Sequence, residues 1–549
     1  MKKKLVILSF FIVFWVVLPV ILLVLSHILA AMASFFNFNF SLPLYPGIII
    51  CTISGPLLLL SVWQFWKFSG ELPVSAYPPV GIIRRGLYNY WRHPIYLFYS
   101  ITLIGIAFLL RSASMLFLVL PVFLTLTTIY IIFEERGLRR KFGAAYEYYS
   151  SVTGIVVPVT YQVLRLPLIL AFKLLFRYKV KNRNHFPLTG PYIIVSYHKN
   201  YLDPFFIACA IDHPVSFLTT FEVYRSGLLR WLMKKSFSIP RRRYIKDAAS
   251  VIRMNDSLRH GGVIGLFPEG ERSWTGENQT FKPEVLKFLA KTRGVPIVPV
   301  KIVNSYEAWP RWAENFRRHR ITVEILRPFI PDNEINPEKL GKILTERMSA
   351  VDDEEVKSSQ VKDELAGLEK VIYRCPDCRT FNSIEVCGAK LICKRCGLEI
   401  SSPGNLALMI TGNRTSGSYS ISKCYDLIKI TPSDRFVEQL IESKKLAGIP
   451  GSGQCSLYSL EDHSVEKILD CELLFDKEAI CFFGTDKQLR IEYSKLGSVT
   501  TESNYKLQLY CTDGGKLYQA EFRNSGVLLW QDLILSITNR ITGRTINSR

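Results

Sequence analysis

Two short polar stretches carry residue types suited to acid–base chemistry. The first reads Ser196-Tyr-His198-Lys-Asn-Tyr-Leu-Asp203-Pro204, and the second reads Phe267-Pro-Glu269-Gly270-Glu271-Arg272-Ser273. Each directly follows a short apolar run, where a buried strand hands its side chains to a cleft. A histidine with an aspartate nearby suggests an oriented general base. Glu269 and Arg272 add charge that a polar substrate would meet. On a single helix, His198 and Asp203 would stand about 140° out of phase. They cooperate only if the chain turns between them, as a strand-to-helix loop does. Asp203-Pro204 is also a common helix start, an N-cap carboxylate followed by proline. Both roles are compatible, because one oxygen can cap while the other holds the second imidazole nitrogen.

The surrounding chain must supply that loop. Over 182–330, strand-like runs at 191–196, 215–220, 262–267, 295–302 and 320–326 alternate with helical stretches such as 248–259 and 284–291. This alternation predicts an α/β sandwich with a mostly parallel central sheet. Neither a phosphate loop nor a dinucleotide fingerprint is present.

Three blocks in order, His198-x-x-x-x-Asp203, Phe267-Pro-Glu-Gly-x-Arg272-Ser273 and Val295-Pro-Ile-Val-Pro299, resemble the glycerolipid acyltransferase superfamily over about 175–330. The best-known members acylate lysophosphatidate. The resemblance implies transfer of a fatty acyl group from a thioester to a lipid hydroxyl, with no metal and no covalent acyl-enzyme. His198 would take the hydroxyl proton, supported by Asp203. Arg272, planar and permanently charged, suits a glycerophosphate. Arg241, in the basic block Ile239-Pro-Arg-Arg-Arg243, lies where the superfamily has a second phosphate-binding arginine. Glu269 would orient Arg272 or contact a substrate hydroxyl, and Gly270 and Ser273 complete the substrate-binding stretch. Glu271 stands where threonine is common.

The rest of the chain places this unit at a membrane. Its net charge of +21 is uneven, with 43 Lys+Arg against 20 Asp+Glu in residues 1–349 and 25 against 27 beyond. A surplus of that kind suits nucleic acid or an anionic lipid surface. The apolar N-terminus decides for lipid, and no nucleic acid is expected. No Lys, Arg, Asp or Glu occurs from Leu5 to Trp66, too long a run for a signal peptide. Spans are expected at about 5–31, 45–66, 94–110 and 112–133. Basic residues flank them at 2–4, 67–93 and 136–141, while the other loops hold only Arg111. The positive-inside rule therefore predicts four transmembrane helices, with both termini and the α/β unit cytoplasmic.

Gly86-Leu-Tyr-Asn-Tyr-Trp-Arg92-His93-Pro-Ile-Tyr96 before the third span, with Glu134-Glu135-Arg-Gly-Leu-Arg-Arg-Lys-Phe142 after the fourth, resembles the isoprenylcysteine and phospholipid methyltransferase group over about 45–158. That implies an S-adenosylmethionine pocket at the cytoplasmic surface, contacted by Arg92, His93, Tyr96, Glu134 and Glu135. The chain departs from the group at Phe98, where glycine is usual. Read without the group, the same cations form a collar anchoring the spans to headgroups. Residues 160–181 then form an amphipathic segment preferring the headgroup region, with Arg165, Lys173 and Arg177 on one side and Pro167 interrupting it or starting its helical part.

The last third has another character. Five of the twelve cysteines crowd into 375–396. Cys375-Pro-Asp-Cys378 and Cys393-Lys-Arg-Cys396 are two knuckles whose spacing suits a structural zinc ribbon in a reducing compartment. Strands at 465–475, 479–483, 489–493, 505–511 and 517–522, closed by a helix at 525–537, loosely resemble a pleckstrin-homology-like barrel. The expected fold is therefore multidomain: an α-helical transmembrane domain (1–158), an interfacial segment (159–181), an α/β acyltransferase domain (182–348), a linker (349–371), a small zinc ribbon (372–400) and a β-rich pleckstrin-homology-like domain (401–549). The expected activity is acyl transfer from acyl-CoA or an acyl-carrier protein to a lysophospholipid in the bilayer. The alternatives are methyl transfer from S-adenosylmethionine and a non-catalytic lipid-binding scaffold.

Overall fold

The structure, a computed structural model, describes residues 9, 12–35, 41–70, 81–83, 85–156, 160–187, 190–220, 223–224, 227–241, 247–349, 364–443, 446–449, 453–460, 465–523 and 525–544. The lysines at 2–4, part of the basic run 67–93, Arg242 and Arg243, and most of the expected linker lie outside them.

Apolar content with few breakers makes the first part helical: α1 (Leu18–Phe35), α2 (Leu44–Ser69), α3 (Pro94–Leu109) and α4 (Leu120–Phe142). Among the described residues, three stretches are long and apolar enough to cross a membrane, Trp15–Met32, Leu44–Ser69 and Met115–Phe142. Where a further span was expected, α3 has 16 residues. At 1.5 Å per residue it is about 24 Å long, short of a hydrocarbon core of roughly 30 Å. Helices α2 and α3 pack through small residues. A Cβ on Gly47 would come 2.7 Å from the Leu109 amide, and one on Gly105 would come 2.6 Å from Cys51 Sγ. Such positions let two backbones approach where lipid offers no hydrophobic drive. Ile49, Ile53 and Leu59 of α2 and Val122 and Leu126 of α4 stay exposed, a surface suited to acyl chains rather than water.

After α5 (Ala144–Val152), helix α6 (Thr160–Phe176) runs straight through Pro167 instead of breaking there. The hydrogen bond that proline removes belongs to the carbonyl of Val163, a residue on the exposed side. Arg165 corrects the expected headgroup face. It is buried, donating from Nε to the Ala208 carbonyl at 3.1 Å and from Nη2 to the Cys209 carbonyl at 3.0 Å and Asp212 at 3.3 Å. Those carbonyls end helix α7 (Asp203–Ala210), where orphan acceptors and the helix dipole both attract a cation. Helix α6 is thereby fastened to the α/β unit, and its exposed face is the apolar one of Leu166, Leu170 and Leu174.

That unit is built on one sheet: β1 (Lys179–Lys181), β2 (Tyr192–Ser196), β3 (Val215–Thr220), β4 (Ile239–Arg241), β5 (Val263–Leu266), β6 (Ile297–Val303) and β7 (Thr322–Ile325), in the order β1-β7-β6-β2-β5-β3-β4. Only the β6–β7 pair is antiparallel. Strand β2 is central and buried along its whole length, as its unbroken apolar run requires. Because β2 and β5 are parallel, with Ile193 opposite Ile264, the loops leaving them emerge at the same edge.

The remainder is antiparallel. A five-stranded sheet begins with β8 (Ile384–Cys387) and β9 (Lys390–Cys393), and continues through β10 (Glu399–Gly404), β11 (Ala407–Thr411) and β12 (Gly417–Tyr419). A seven-stranded sheet follows, made of β13 (Gln454–Leu460), β14 (Val465–Phe475), β15 (Ala479–Phe483), β16 (Gln488–Glu492), β17 (Leu496–Thr501), β18 (Lys506–Cys511) and β19 (Leu517–Phe522). A helix, Val527–Thr542, closes it. These parts share one apolar core with the α/β unit: Trp274, Tyr306 and Trp312 join Leu368, Tyr373, Leu391, Val499 and Trp530 in a single buried cluster. Buried Asp532 on the closing helix accepts from Tyr373 at 2.7 Å and Tyr425 at 2.5 Å, tying the cysteine-rich region to the last sheet. Gly367 has φ +93° and lies so close to the Trp312 carbonyl that a Cβ would stand 2.4 Å from it. The two units therefore meet as one packed body rather than through a slack tether.

Replacing Arg165 by Met leaves the α7 carbonyls without their donor while keeping Asp212 paired with Arg183. A loss of about 2–4 kcal/mol is expected, read as a lowered thermal midpoint in detergent and faster proteolysis between α6 and α7.

Candidate active site

The loop after β2 is organised by one carboxylate. Asp203 is completely buried, and its Oδ2 accepts from His198 Nδ1 at 3.0 Å and from the amides of Lys199 and Asn200 at 2.7 Å each. Its Oδ1 accepts from the Ser305 hydroxyl. Four donors offset the desolvation that would otherwise expel a buried charge. The expected helix cap is not formed. Asp203 is the first helical residue, and the amides it binds precede it in the loop, so the carboxylate closes the turn that carries the histidine.

His198 lies against Phe267 with ring centroids 4.3 Å apart, and its side chain is 20% exposed. With Nδ1 held by Asp203, Nε2 is the nitrogen left for a substrate. Burial, together with the charges of Arg272 and Arg311, lowers the imidazole pKa against the opposing pull of Asp203. The group is therefore a neutral base near pH 7.

Glu269 does not meet the expectation that it orients Arg272. Its Oε2 accepts from the His198 amide at 2.5 Å and its Oε1 from the Gln279 amide at 2.6 Å. Both oxygens are engaged in fastening the β2 loop to the β5 loop, and burial pushes the carboxyl up to about 7. Ser273 adds a parallel tie, its amide donating to the His198 carbonyl at 3.1 Å while its hydroxyl accepts from Gly276. Gly270 has φ +78° and turns the chain beside Lys282.

Arg272 reaches the site by another route. Its guanidinium carbon is 3.2 Å from the centroid of the Tyr201 ring, and Nη2 donates to the Glu502 carbonyl at 2.9 Å. Arg241 is not brought into this group. It ends β4 at the same sheet edge, three strand positions from β2 and so about 14 Å away laterally. The residues that sequence reasoning missed are Tyr201, Phe267 as a ring partner, Ser305 and Arg311. Only the two aromatics stood inside the quoted blocks.

A second cluster gathers at the polar ends of α3 and α4. Arg92 pairs with Glu135 at 2.8 Å, and His93 lies 3.7 Å from Glu134 and 3.4 Å from Glu135. The Tyr96 ring is 5.8 Å from that of His93. All five expected residues meet, and Tyr146, which the sequence did not single out, lies near them. Arg92 Nε and the Tyr146 hydroxyl are buried without a hydrogen-bond partner among the described residues. Such orphaned donors suit a polar, carboxylate-bearing cofactor.

In the cysteine-rich region, the thiols of Cys375, Cys378, Cys393 and Cys396 lie within 4.8 Å of one another, with 3.6 Å between Cys375 and Cys396 and 3.7 Å between Cys378 and Cys393. A tetrahedron with metal–sulfur bonds of about 2.3 Å needs sulfurs about 3.8 Å apart. The four could hold a metal ion.

Two regions of the chain match families of known proteins. The family model described as Acyltransferase matches residues 177–303, and the one described as Phospholipid methyltransferase matches residues 44–145. A region similar to acyltransferases thus follows one similar to phospholipid methyltransferases. A chloroplastic 1-acyl-sn-glycerol-3-phosphate acyltransferase of Brassica napus is 26% identical over 24% of this chain and 38% of its own length. The 1-acyl-sn-glycerol-3-phosphate acyltransferase alpha of Ovis aries is 29% identical over 32% of this chain and 62% of its own. The chain thus spans between about two fifths and three fifths of these relatives. The solved 1-acyl-sn-glycerophosphate acyltransferase of Thermotoga maritima aligns at 21% identity and TM-score 0.33, over 43% of this chain and 91% of that one.

A buried, cation-flanked imidazole should resist protonation. Carbethoxylation of His198 by diethyl pyrocarbonate, followed by mass spectrometry, is expected to titrate below the ~6.5 of a free imidazole. Arg311→Met removes one positive charge and should move that midpoint upward; an unchanged midpoint would contradict the placement of Arg311 near the ring.

Proposed function

We propose that the chain is a membrane-bound O-acyltransferase that moves a fatty acyl group from a thioester to the free hydroxyl of a lysophospholipid, 1-acyl-glycerol-3-phosphate being the acceptor that suits it best. The observation that carries this reading is the His198–Asp203 pair, held at 3.0 Å with Nε2 left for a substrate. His198 Nε2 takes the acceptor's hydroxyl proton as that oxygen attacks the thioester carbonyl. The tetrahedral adduct collapses with C–S cleavage, and the imidazolium returns the proton to the departing thiolate. Asp203 holds the ring and stabilises its transient charge. Arg272 binds the acceptor's phosphate. Arg241, farther along the same edge, contacts anionic groups at the rim. Glu269, Gly270 and Ser273 keep the two loops in register. The donor is acyl-CoA or acyl-carrier protein.

The apolar helices bring this cleft to the bilayer, with α1–α4 as four spans and α3 the shortest. Both termini and the cleft lie on the cytoplasmic side, and α6 rests in the headgroups. Zinc in the four-cysteine ribbon is structural, and the last sheet with its closing helix supports a pleckstrin-homology-like, lipid- or protein-binding module. A second reading rests on the Arg92–Glu135 and His93–Glu134 contacts: Arg92, His93, Tyr96, Glu134 and Glu135 would hold S-adenosylmethionine, which supplies an electrophilic methyl group when bound. The chain would then have two activities.

Purified protein given labelled oleoyl-CoA and lysophosphatidate is expected to form labelled phosphatidate, and His198→Ala to lose at least about a thousandfold in rate. Equal product from both would reject the reading. Labelled S-adenosylmethionine supplied to the same membranes should label lipid or protein in the parent and not in Glu135→Gln; no labelled product in the parent counts against the second activity. Removing metal with a thiol-compatible chelator should lower the unfolding midpoint and release about one zinc per chain.

A further inference from the structure

Where the α/β unit meets the last sheet, two arginines are gripped by a single turn. Arg272 Nη2 donates to the Glu502 carbonyl at 2.9 Å. Arg311 Nη2 donates to the Thr501 carbonyl and, at 2.7 Å, to the Thr501 hydroxyl, while Nη1 reaches the Arg272 carbonyl at 3.3 Å. Thr501 ends β17, and the turn to β18 follows it. Arg272 is 8% exposed and Arg311 3% exposed.

The electrostatics are incomplete. Arg272 Nη1 and Arg311 Nε are buried and have no hydrogen-bond partner among the described residues. The carboxylate paired with Arg311 is that of Glu271, at 3.9 Å, and no ion pair with Arg272 occurs among the described residues. The charges of Glu271 and Glu502 both act on Arg311, while the turn reaches the guanidinium groups themselves through carbonyl and hydroxyl oxygens. Burial, reinforced by the charge of Arg272, lowers Arg311 to about 10. Buried guanidinium groups with spare donors form a site that favours an anion. Both arginines also act on His198, so that anion would lie beside the base.

We propose that Arg311 is a second phosphate ligand beside Arg272, and that the Thr501 and Glu502 carbonyls occupy the positions of phosphate oxygens when the C-terminal sheet is docked. This rests on the acyltransferase reading and adds its specificity and control. A phosphate monoester brings two charges and three acceptors, enough to engage both guanidinium groups. Phosphate and turn cannot occupy them together, since docking leaves Arg272 Nη1 without accessible surface and commits Nη2 to Glu502. The docked form is therefore closed to the acceptor's headgroup, and lysolipid binding expels the 501–506 turn.

Two measurements on the full chain test this. Hydrogen exchange of the amides at 502–506 is expected to rise about tenfold or more when dodecyl phosphate is added, and not with dodecyl maltoside. Unchanged exchange overturns the competition, and this arm needs no catalysis, so it stays readable if acyl transfer itself is absent. The second compares acceptors. Arg311→Met should raise KM for lysophosphatidate about 10- to 100-fold, with Arg311→Lys intermediate and little change for uncharged monoacylglycerol. An equal loss with both acceptors identifies a mere anchor and overturns the phosphate role.

Discussion

The site depends on keeping one ionised carboxylate completely out of water. Asp203 is held by an imidazole, two loop amides and a hydroxyl, and each of these comes from a segment that must fold correctly to reach it. Ser305 arrives from the far end of β6, so the carboxylate reads the central sheet as well as its own loop. Removing the donors would leave an uncompensated buried charge, at a cost of several kcal/mol. The same bonds orient the imidazole and fix its tautomer, so stability and chemistry are set by one residue.

Glu269 repeats the device one strand away. Each loop is stapled by a buried carboxyl accepting backbone amides, and that of Glu269 bridges the loops after β2 and β5 at the sheet edge where parallel strands place ligands. Arg272 thereby has no carboxylate ion pair among the described residues, and its positive field reaches His198. An anionic acceptor would engage Arg272 Nη1, which has no hydrogen-bond partner among the described residues.

Much of this was legible in the sequence. The five-residue spacing from His198 to Asp203 required a turn, and the structure has one. The long strands and the apolar helices follow from periodicity and run length. The three-residue strands β1 and β4 escaped because so few residues carry no period. Arg165 looked like an interfacial cation because helical phase says nothing about the carbonyls that a neighbouring helix end presents. The partners of Glu269 are backbone amides, which have no signature in side-chain identity. Arg311 stands in no recognisable block, and its contacts with Thr501 join residues 190 apart in the chain. Tertiary packing alone reveals it.

Packing also changes how the C-terminal third is understood. From sequence it is a set of tethered modules; in the structure its core is continuous with Trp274 and Trp312. The central claim nevertheless concerns Asp203, and the most direct measurement is the acyl-transfer rate of Asp203→Asn in the full chain. The amide keeps an acceptor for the loop but no charge for the imidazolium, so kcat should fall about a hundredfold or more with the unfolding midpoint little changed. A kcat within a few-fold of the parent would contradict the account.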